Sequence, residues 1–241
     1  MKNSTDWTLV TGGARRLGAQ ICKSLAQNGY PVLIHYNTSC KEAQDLIKEC
    51  RASGVSAESI QGDFSSIQTL QDFLQRLKTQ FPQIKNIVNN VGNYRVESTL
   101  ATNIQEWHEL FQTNLHAPVA LIKELMLQIK KQKGSIINIG VAGIENVPAN
   151  TYSSAYTASK LALWMVTKSL AKEFAPFHVR VNMVSPGMLD NAVDLPPDQK
   201  ILPMKRAGTP IEVARVVLFL LDENNTYITG QNIEVAGGLR L

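Results

Sequence analysis

Trp7-Thr8-Leu9-Val10-Thr11-Gly12-Gly13-Ala14-Arg15-Arg16-Leu17-Gly18 is the stretch on which the fold turns. Its first four residues are apolar or β-branched and predict a strand, and the spacing of Ile21 and Leu25, stopped at Gly29, predicts a helix after it. Between them Gly12 and Gly18 allow a tight turn in which the backbone can approach a pyrophosphate seated on the positive N-terminus of the helix. A glycine-rich loop alone is weak evidence; the strand before it and the helix after it supply the context such a loop needs.

The same alternation recurs along the chain. Short β-branched runs appear at Pro31–His35, Ser59–Gln61, Asn86–Asn89, Ser135–Ile139, Val179–Val184 and Asn232–Val235. They are separated by helical spacings such as Leu70, Phe73, Leu74 and Leu77, the run Ala120–Ile129, and Leu161, Met165 and Ser169. Strands alternating with helices predict parallel pairing through right-handed crossovers. The expectation is an α/β fold: one doubly wound, seven-stranded parallel sheet with helices on both faces. No linker or composition shift divides the chain, so residues 1–241 read as a single domain. One break in the rhythm, Pro186 to Pro210, carries five prolines and little periodicity. A connection of that length in a compact domain is usually functional, and residues 188–208 read as a flexible flap over a binding cleft.

Composition narrows the partners. Lys+Arg 24 against Asp+Glu 20 leaves a net charge of +4, too small and scattered for a nucleic-acid surface. Cys22, Cys40 and Cys50 form neither a disulfide framework nor a metal-ligand spacing, and the four histidines are too dispersed to complete a metal site. The expectation is a reduced, cytoplasmic protein with no metal. The longest strongly apolar run, Val216–Leu221, is far too short for a membrane span.

The second strand decides the cofactor. An NAD enzyme would place a carboxylate at its end to bond the ribose hydroxyls, but this chain has His35-Tyr36-Asn37-Thr38-Ser39 and no acid before Glu42. With nothing there to repel a 2′-phosphate, and with Arg15 and Arg16 able to pair with one, NADP(H) is expected over NAD.

Tyr156-Thr157-Ala158-Ser159-Lys160 places a phenol and an ammonium on one helix face, where the cation can favour phenolate. Reduction of a carbonyl by hydride needs a proton donor at the new alkoxide, and a tyrosine can serve. With Thr11-Gly12, Asn89-Asn90-Val91-Gly92 and Pro186-Gly187 alongside, the chain resembles the short-chain dehydrogenase/reductase family over essentially its whole length, from Leu9 to Gly238. Where that family's loop reads TGxxxGxG, this chain carries Arg16 at the middle glycine, similar to the G-A-x-x-R-L-G of pteridine reductases.

The resemblance implies a Rossmann-like fold and roles for further residues. Asp63 would bond the adenine amino group with the backbone at Phe64 supporting the ring, although an Asp capping the next helix would look the same. Asn90, Val91 and Gly92 would line the adenosine pocket, and Gly12, Leu17 and Gly18 would complete the cofactor loop. Lys160 would also bond the nicotinamide ribose, Asn114 would hold a helix kink and a water next to Lys160, and Pro186-Gly187 would receive the nicotinamide carboxamide. The family also implies a homotetramer built on the last helix and strand.

One family residue is absent. A serine usually follows the fifth strand, but here the turn reads Ile139-Gly140-Val141-Ala142-Gly143 with no hydroxyl. Ser153 or Ser154 could replace it, Tyr156 could act alone, or the substrate could be unusual. Two substrate classes follow from the resemblance. The first is a 3-oxoacyl thioester with acyl carrier protein as partner, for which Lys130, Lys131 and Lys133 are the candidate basic patch. The second is a small-molecule pteridine. A noncatalytic NADP(H) sensor is the rival from another class, favoured by the absent serine and opposed by the intact Tyr156, Lys160 and Asn114.

Overall fold

The computed structural model of the protein describes residues 6–240. In chain order the elements are β1 (Trp7–Val10), α1 (Arg16–Gln27), β2 (Val32–Tyr36), α2 (Cys40–Ala52), β3 (Ala57–Gln61), α3 (Ile67–Gln80) and β4 (Ile84–Asn89). There follow α4 (Ile104–Phe111), a π-helical turn (Gln112–His116), α5 (Ala117–Gln132), β5 (Ser135–Ile139), α6 (Ser154–Phe174), β6 (Arg180–Pro186), α7 (Pro210–Leu221) and β7 (Asn232–Val235). The seven strands form one parallel sheet in the order β3-β2-β1-β4-β5-β6-β7. This is the doubly wound, Rossmann-like α/β architecture expected from the alternation.

Strand pleating explains why β1 and β2 are buried at successive positions. Val10 and Ile34 point into a core shared with Ile21 and Leu25 of α1, Leu46 of α2 and Val213 and Val217 of α7. Their neighbours Leu9 and Leu33 point the other way, into a core with Phe73 of α3, Leu121 and Leu125 of α5 and Phe174 of α6. A parallel sheet covered on both faces buries successive positions, so these inner strands do not alternate buried with exposed residues, whereas the edge strand β3 does.

The chain winds from β1 to β3 in one direction and from β4 to β7 in the other, so the order reverses between β1 and β4. In open α/β sheets that reversal leaves a crevice outside the carboxyl ends of the strands. Thr11 stitches its walls together. Its Oγ1 accepts from the Asn90 and Val91 backbone N–H groups at 2.9 and 3.0 Å, while Asn90 Nδ2 donates to the carbonyls of Thr11 and Gly12. A Cβ on Gly18 would lie 2.1 Å from the Gly12 oxygen, so only glycine lets α1 start this close to the loop.

The 187–209 segment is hooked shut at its base. Asp190 N–H donates to Gly208 O and Gly208 N–H to Met188 O, both at 2.9 Å, and Leu189, Leu202 and Ala207 are buried. Its far end is tied to α7, whose Thr209–Glu212 capping box also binds Arg206 through both carboxylate oxygens.

The lysine patch lies elsewhere than expected. α5 runs toward the start of β5, and Lys131 shares a depression with Asp6, Pro82 and Gln83, residues that precede β1 and β4. That is the amino-terminal edge of the sheet, opposite the crevice. Lys130 lies over the rings of Phe177 and Phe174, 3.8 and 5.2 Å from their centroids. Lys130, Lys131 and Lys133 therefore do not border the cleft: a helix leading into a parallel strand ends at the strand's beginning.

Candidate functional site

At the carboxyl edge of β5 and β6 opens a cavity of about 310 Å³. Tyr156 and Lys160 reach it from α6, Asn90 and Gly92 from the end of β4, Leu17 from the glycine loop, and Pro186 and Gly187 from the end of β6. Residues predicted from separate motifs thus meet on one wall.

Lys160 is buried, and its Nζ donates to Ile139 O at 2.8 Å. Burial lowers its pKa to about 8. Tyr156 behaves otherwise than the i, i+4 spacing suggests. Burial, helped by Asp194 and opposed by Arg240, pushes its phenol up to about 12, and Lys160 is not among the groups that move it. The Lys160 Nζ sits 6.0 Å from the Tyr156 ring centroid and is turned toward the Ile139 carbonyl. Burial thus favours the neutral phenol here, opposite in direction to the shift that the spacing predicts.

Asn114 occupies the middle of the π-helical turn between α4 and α5, the kink expected of it. Such turns inside helices frequently mark functional positions. Its Oδ1 accepts from Asn93 N–H at 2.8 Å, and its Nδ2 donates to Asn93 O and to Ser159 Oγ at 3.0 and 2.9 Å. A Cβ on Gly92 would lie 3.2 Å from Lys160 Nζ and 3.4 Å from Asn114 Oδ1, so this glycine leaves room for both.

The crevice side of the site holds the remaining candidates. Arg15 and Arg16 are exposed at the start of α1, which has no side-chain cap and no acid in its first turn. Such a helix end attracts an anion. Arg15 Nε is 3.7 Å from Glu42 Oε1, a loose and exposed pair that a phosphate can displace. Arg16 has φ 51, a left-handed conformation that suits the glycine of the family pattern better than an arginine.

Tyr36 ends β2 and Asn37, Thr38 and Ser39 form the turn after it, where Asn37 Nδ2 donates to Asp63 Oδ1 at 3.5 Å. Asp63 also accepts from Ser65 N–H and Ser65 Oγ at 2.9 Å, so it shapes a turn. The helix that follows is capped by Ser66, which removes the capping alternative for Asp63. Phe64 is buried.

His35 is the residue that motif reading missed. Its ring is buried between two backbone groups: Gly12 N–H donates to Nδ1 at 3.0 Å, and Nε2 lies 3.1 Å from Gly62 O. Since Nδ1 accepts, Nε2 carries the proton, and the imidazole is neutral. It stacks on Phe64 with centroids 4.2 Å apart, and burial lowers its pKa to about 4. One ring thereby locks the glycine loop to the ends of β2 and β3. Tyr94, Asp194 and Arg240 also line the cavity without a motif to announce them; Tyr94 Oη donates to Asp194 Oδ2 at 2.7 Å, joining the end of β4 to the 187–209 segment.

No hydroxyl occupies the Gly140–Val141 turn, which lines the cavity through backbone and apolar groups. Ser154 points away: its Oγ donates to Asn150 O at 2.8 Å and accepts from Thr99 Oγ1 at 2.9 Å. Ser153 is buried and lines the cavity together with Thr157. Asn150 Nδ2 donates to both hydroxyl oxygens, at 3.3 and 2.8 Å.

Comparison with known proteins bears on the family and the fold. Residues 12–240 match the family model described as enoyl-(acyl carrier protein) reductase. The 3-oxoacyl-(acyl-carrier-protein) reductase FabG of Staphylococcus aureus strain N315 is 32% identical over 243 residues, covering 98% of each chain. Among solved structures, acetoin dehydrogenase YohF from Salmonella typhimurium superposes with a TM-score of 0.88 at 30% identity, covering 98% of this chain and 96% of its own. A short-chain dehydrogenase from Burkholderia cenocepacia J2315 in complex with NADP reaches 0.88 at 27% identity and 99% coverage of both chains.

Proposed function

The chain belongs to the short-chain dehydrogenase/reductase family, and on that premise we propose that it reduces a carbonyl with hydride from NADPH, Tyr156 giving the proton. The observation that carries this reading is the convergence of Tyr156, Lys160, Pro186 and Gly187 on one cavity at the carboxyl edge of the sheet. Arg15 and Arg16 would hold the 2′-phosphate beside Tyr36 and the turn Asn37–Ser39. The loop Gly12–Gly18 would take the pyrophosphate, Asp63, Phe64, Asn90, Val91 and Gly92 would border the adenosine, and Pro186-Gly187 would border the nicotinamide. NADPH supplies the hydride when bound. Tyr156, held neutral by burial, donates its proton to the developing alkoxide, and Lys160 with Asn114 leads toward its replacement.

Ser153 takes the place of the missing serine. Because Asn150 donates to the Ser153 oxygen, the Ser153 proton is left free to turn toward a carbonyl oxygen in the cavity it lines. The segment 188–208 serves as a flap over the substrate, latched by the Tyr94–Asp194 bond. The relatives support a 3-oxoacyl thioester as substrate. The absent hydroxyl at Gly140–Val141 favours a pteridine as the second reading, since pteridine reductases also depart from the family serine. A homotetramer and a cytoplasmic location complete the proposal.

The test follows NADPH absorbance with acetoacetyl-CoA, dihydropterins and simple diketones. Wild type is expected to turn over at least one of them, Tyr156→Phe to lose at least about a hundredfold in kcat, and Ser153→Ala on the order of a hundredfold. Tight NADPH binding with no turnover of any substrate would turn the case toward a sensor.

A further inference from the structure

Arg240, from the stretch after β7, lines the same cavity as Tyr156. The residue is exposed, and three features of its setting bear on what it can bind. Its backbone is left-handed, with φ 64, a conformation uncommon outside glycine and one that needs support from its surroundings. Its stem crosses Gly143, where an added Cβ would lie 3.0 Å from Arg240 Cδ and 3.1 Å from Arg240 Cβ, so any side chain at 143 would displace it. And its guanidinium makes no hydrogen bond or ion pair among the described residues.

That last feature is informative because Asp194 lines the same cavity and Glu234 reaches Gly143, which the Arg240 stem crosses, yet neither bonds the guanidinium. Glu234 is occupied by the N–H of Gly143, at 2.7 Å, and Asp194 by the hydroxyl of Tyr94. The cavity's other cation, Lys160, is turned inward onto Ile139 O. Arg240 is thus the cavity's one uncommitted positive group among the described residues, and the lining around it is largely apolar: Val141, Ala142, Val193 and Leu239. Its charge is also felt at Tyr156, where it opposes Asp194.

We infer that Arg240 anchors an anionic group of the substrate and so selects charged ketones over neutral ones of the same shape. Two sources share that chemistry: the carboxylate of a small oxo acid and the phosphate of a pantetheine-type arm. A guanidinium fork suits either oxyanion. The inference deepens the reductase reading and rests on it for the identity of the reacting group.

Two matched pairs test it: acetoacetate against ethyl acetoacetate for the carboxylate, and acetoacetyl-CoA against S-acetoacetyl-N-acetylcysteamine for the phosphate. Binding is measured by titration calorimetry on the Tyr156→Phe holoenzyme with NADPH present, and kcat/KM on the wild type. The charged member of one pair is expected to bind roughly 10- to 100-fold more tightly than its neutral counterpart, the range of a charge-assisted bond. Arg240→Ala should remove that preference, Arg240→Lys should restore part of it, and KM for NADPH should stay within about twofold. The pair that shows the preference identifies the source. Absence of a preference in both pairs, or its persistence in Arg240→Ala, would overturn the inference. A preference that appears in binding while NADPH is never consumed keeps the anchor and defeats the reductase reading instead.

Discussion

Arg16 and His35 show how single residues serve the cofactor loop against local cost. Arg16 holds a left-handed backbone, which costs a non-glycine residue about 1 kcal/mol. Arg16→Gly is therefore expected to raise Tm by a few degrees while lowering the preference for NADPH over NADH, two readouts moving in opposite senses. An unchanged cofactor ratio would remove Arg16 from phosphate binding. His35 is held neutral by burial, its pKa lowered from 6.5 to about 4. Between those values the unfolded chain binds a proton that the native state refuses, so stability falls by about 1.4 kcal/mol for each pH unit below 6.5, levelling off near 4. Urea unfolding midpoints measured from pH 7 to pH 4.5 should show this slope, and His35→Gln should flatten it. No sequence pattern pointed to His35, because its partners Gly12 and Gly62 are brought to it only by pairing of β1, β2 and β3.

At the level of elements, the π-helical turn between α4 and α5 holds Asn114, on which the proposed proton path depends. The family resemblance implied a helix kink at Asn114, but its π-helical form was not legible, since no periodicity distinguishes one widened helical turn from its neighbours. Asn114→Leu would remove the two hydrogen bonds to the Asn93 backbone and the one to the buried Ser159 Oγ, each worth about 1 kcal/mol. The expected outcome is a Tm several degrees lower, together with a loss of kcat that persists well below the new Tm. Full activity at low temperature would mean that the residue only holds the helix. Similarly, Tyr94→Phe frees Asp194 of the 187–209 segment. Faster proteolytic nicking between residues 188 and 208 is expected if that bond is the latch.

The whole molecule places the proposed site residues at one edge of a single sheet. Its exposed Phe219 on α7 and the fully exposed Tyr227 before β7 lie where the proposed tetramer would close; light scattering should read four times the 26.6 kDa chain mass, and Phe219→Glu with Tyr227→Glu should lower it. By itself the sequence determined the strand and helix order, the glycine loop, the Tyr156–Lys160 pair and the lack of an acid after β2. Each of these is written in contiguous residues, whose spacing fixes local geometry before any long-range contact forms. Only the tertiary structure decided that Ser153 and not Ser154 faces the cavity, that Lys130, Lys131 and Lys133 lie at the far edge of the sheet, that burial governs Tyr156, and that Arg240 enters the site across Gly143. These depend on which distant segments pack together and on what they exclude from water, and neither the sign of a pKa shift nor the direction of a side chain exists until that packing is made.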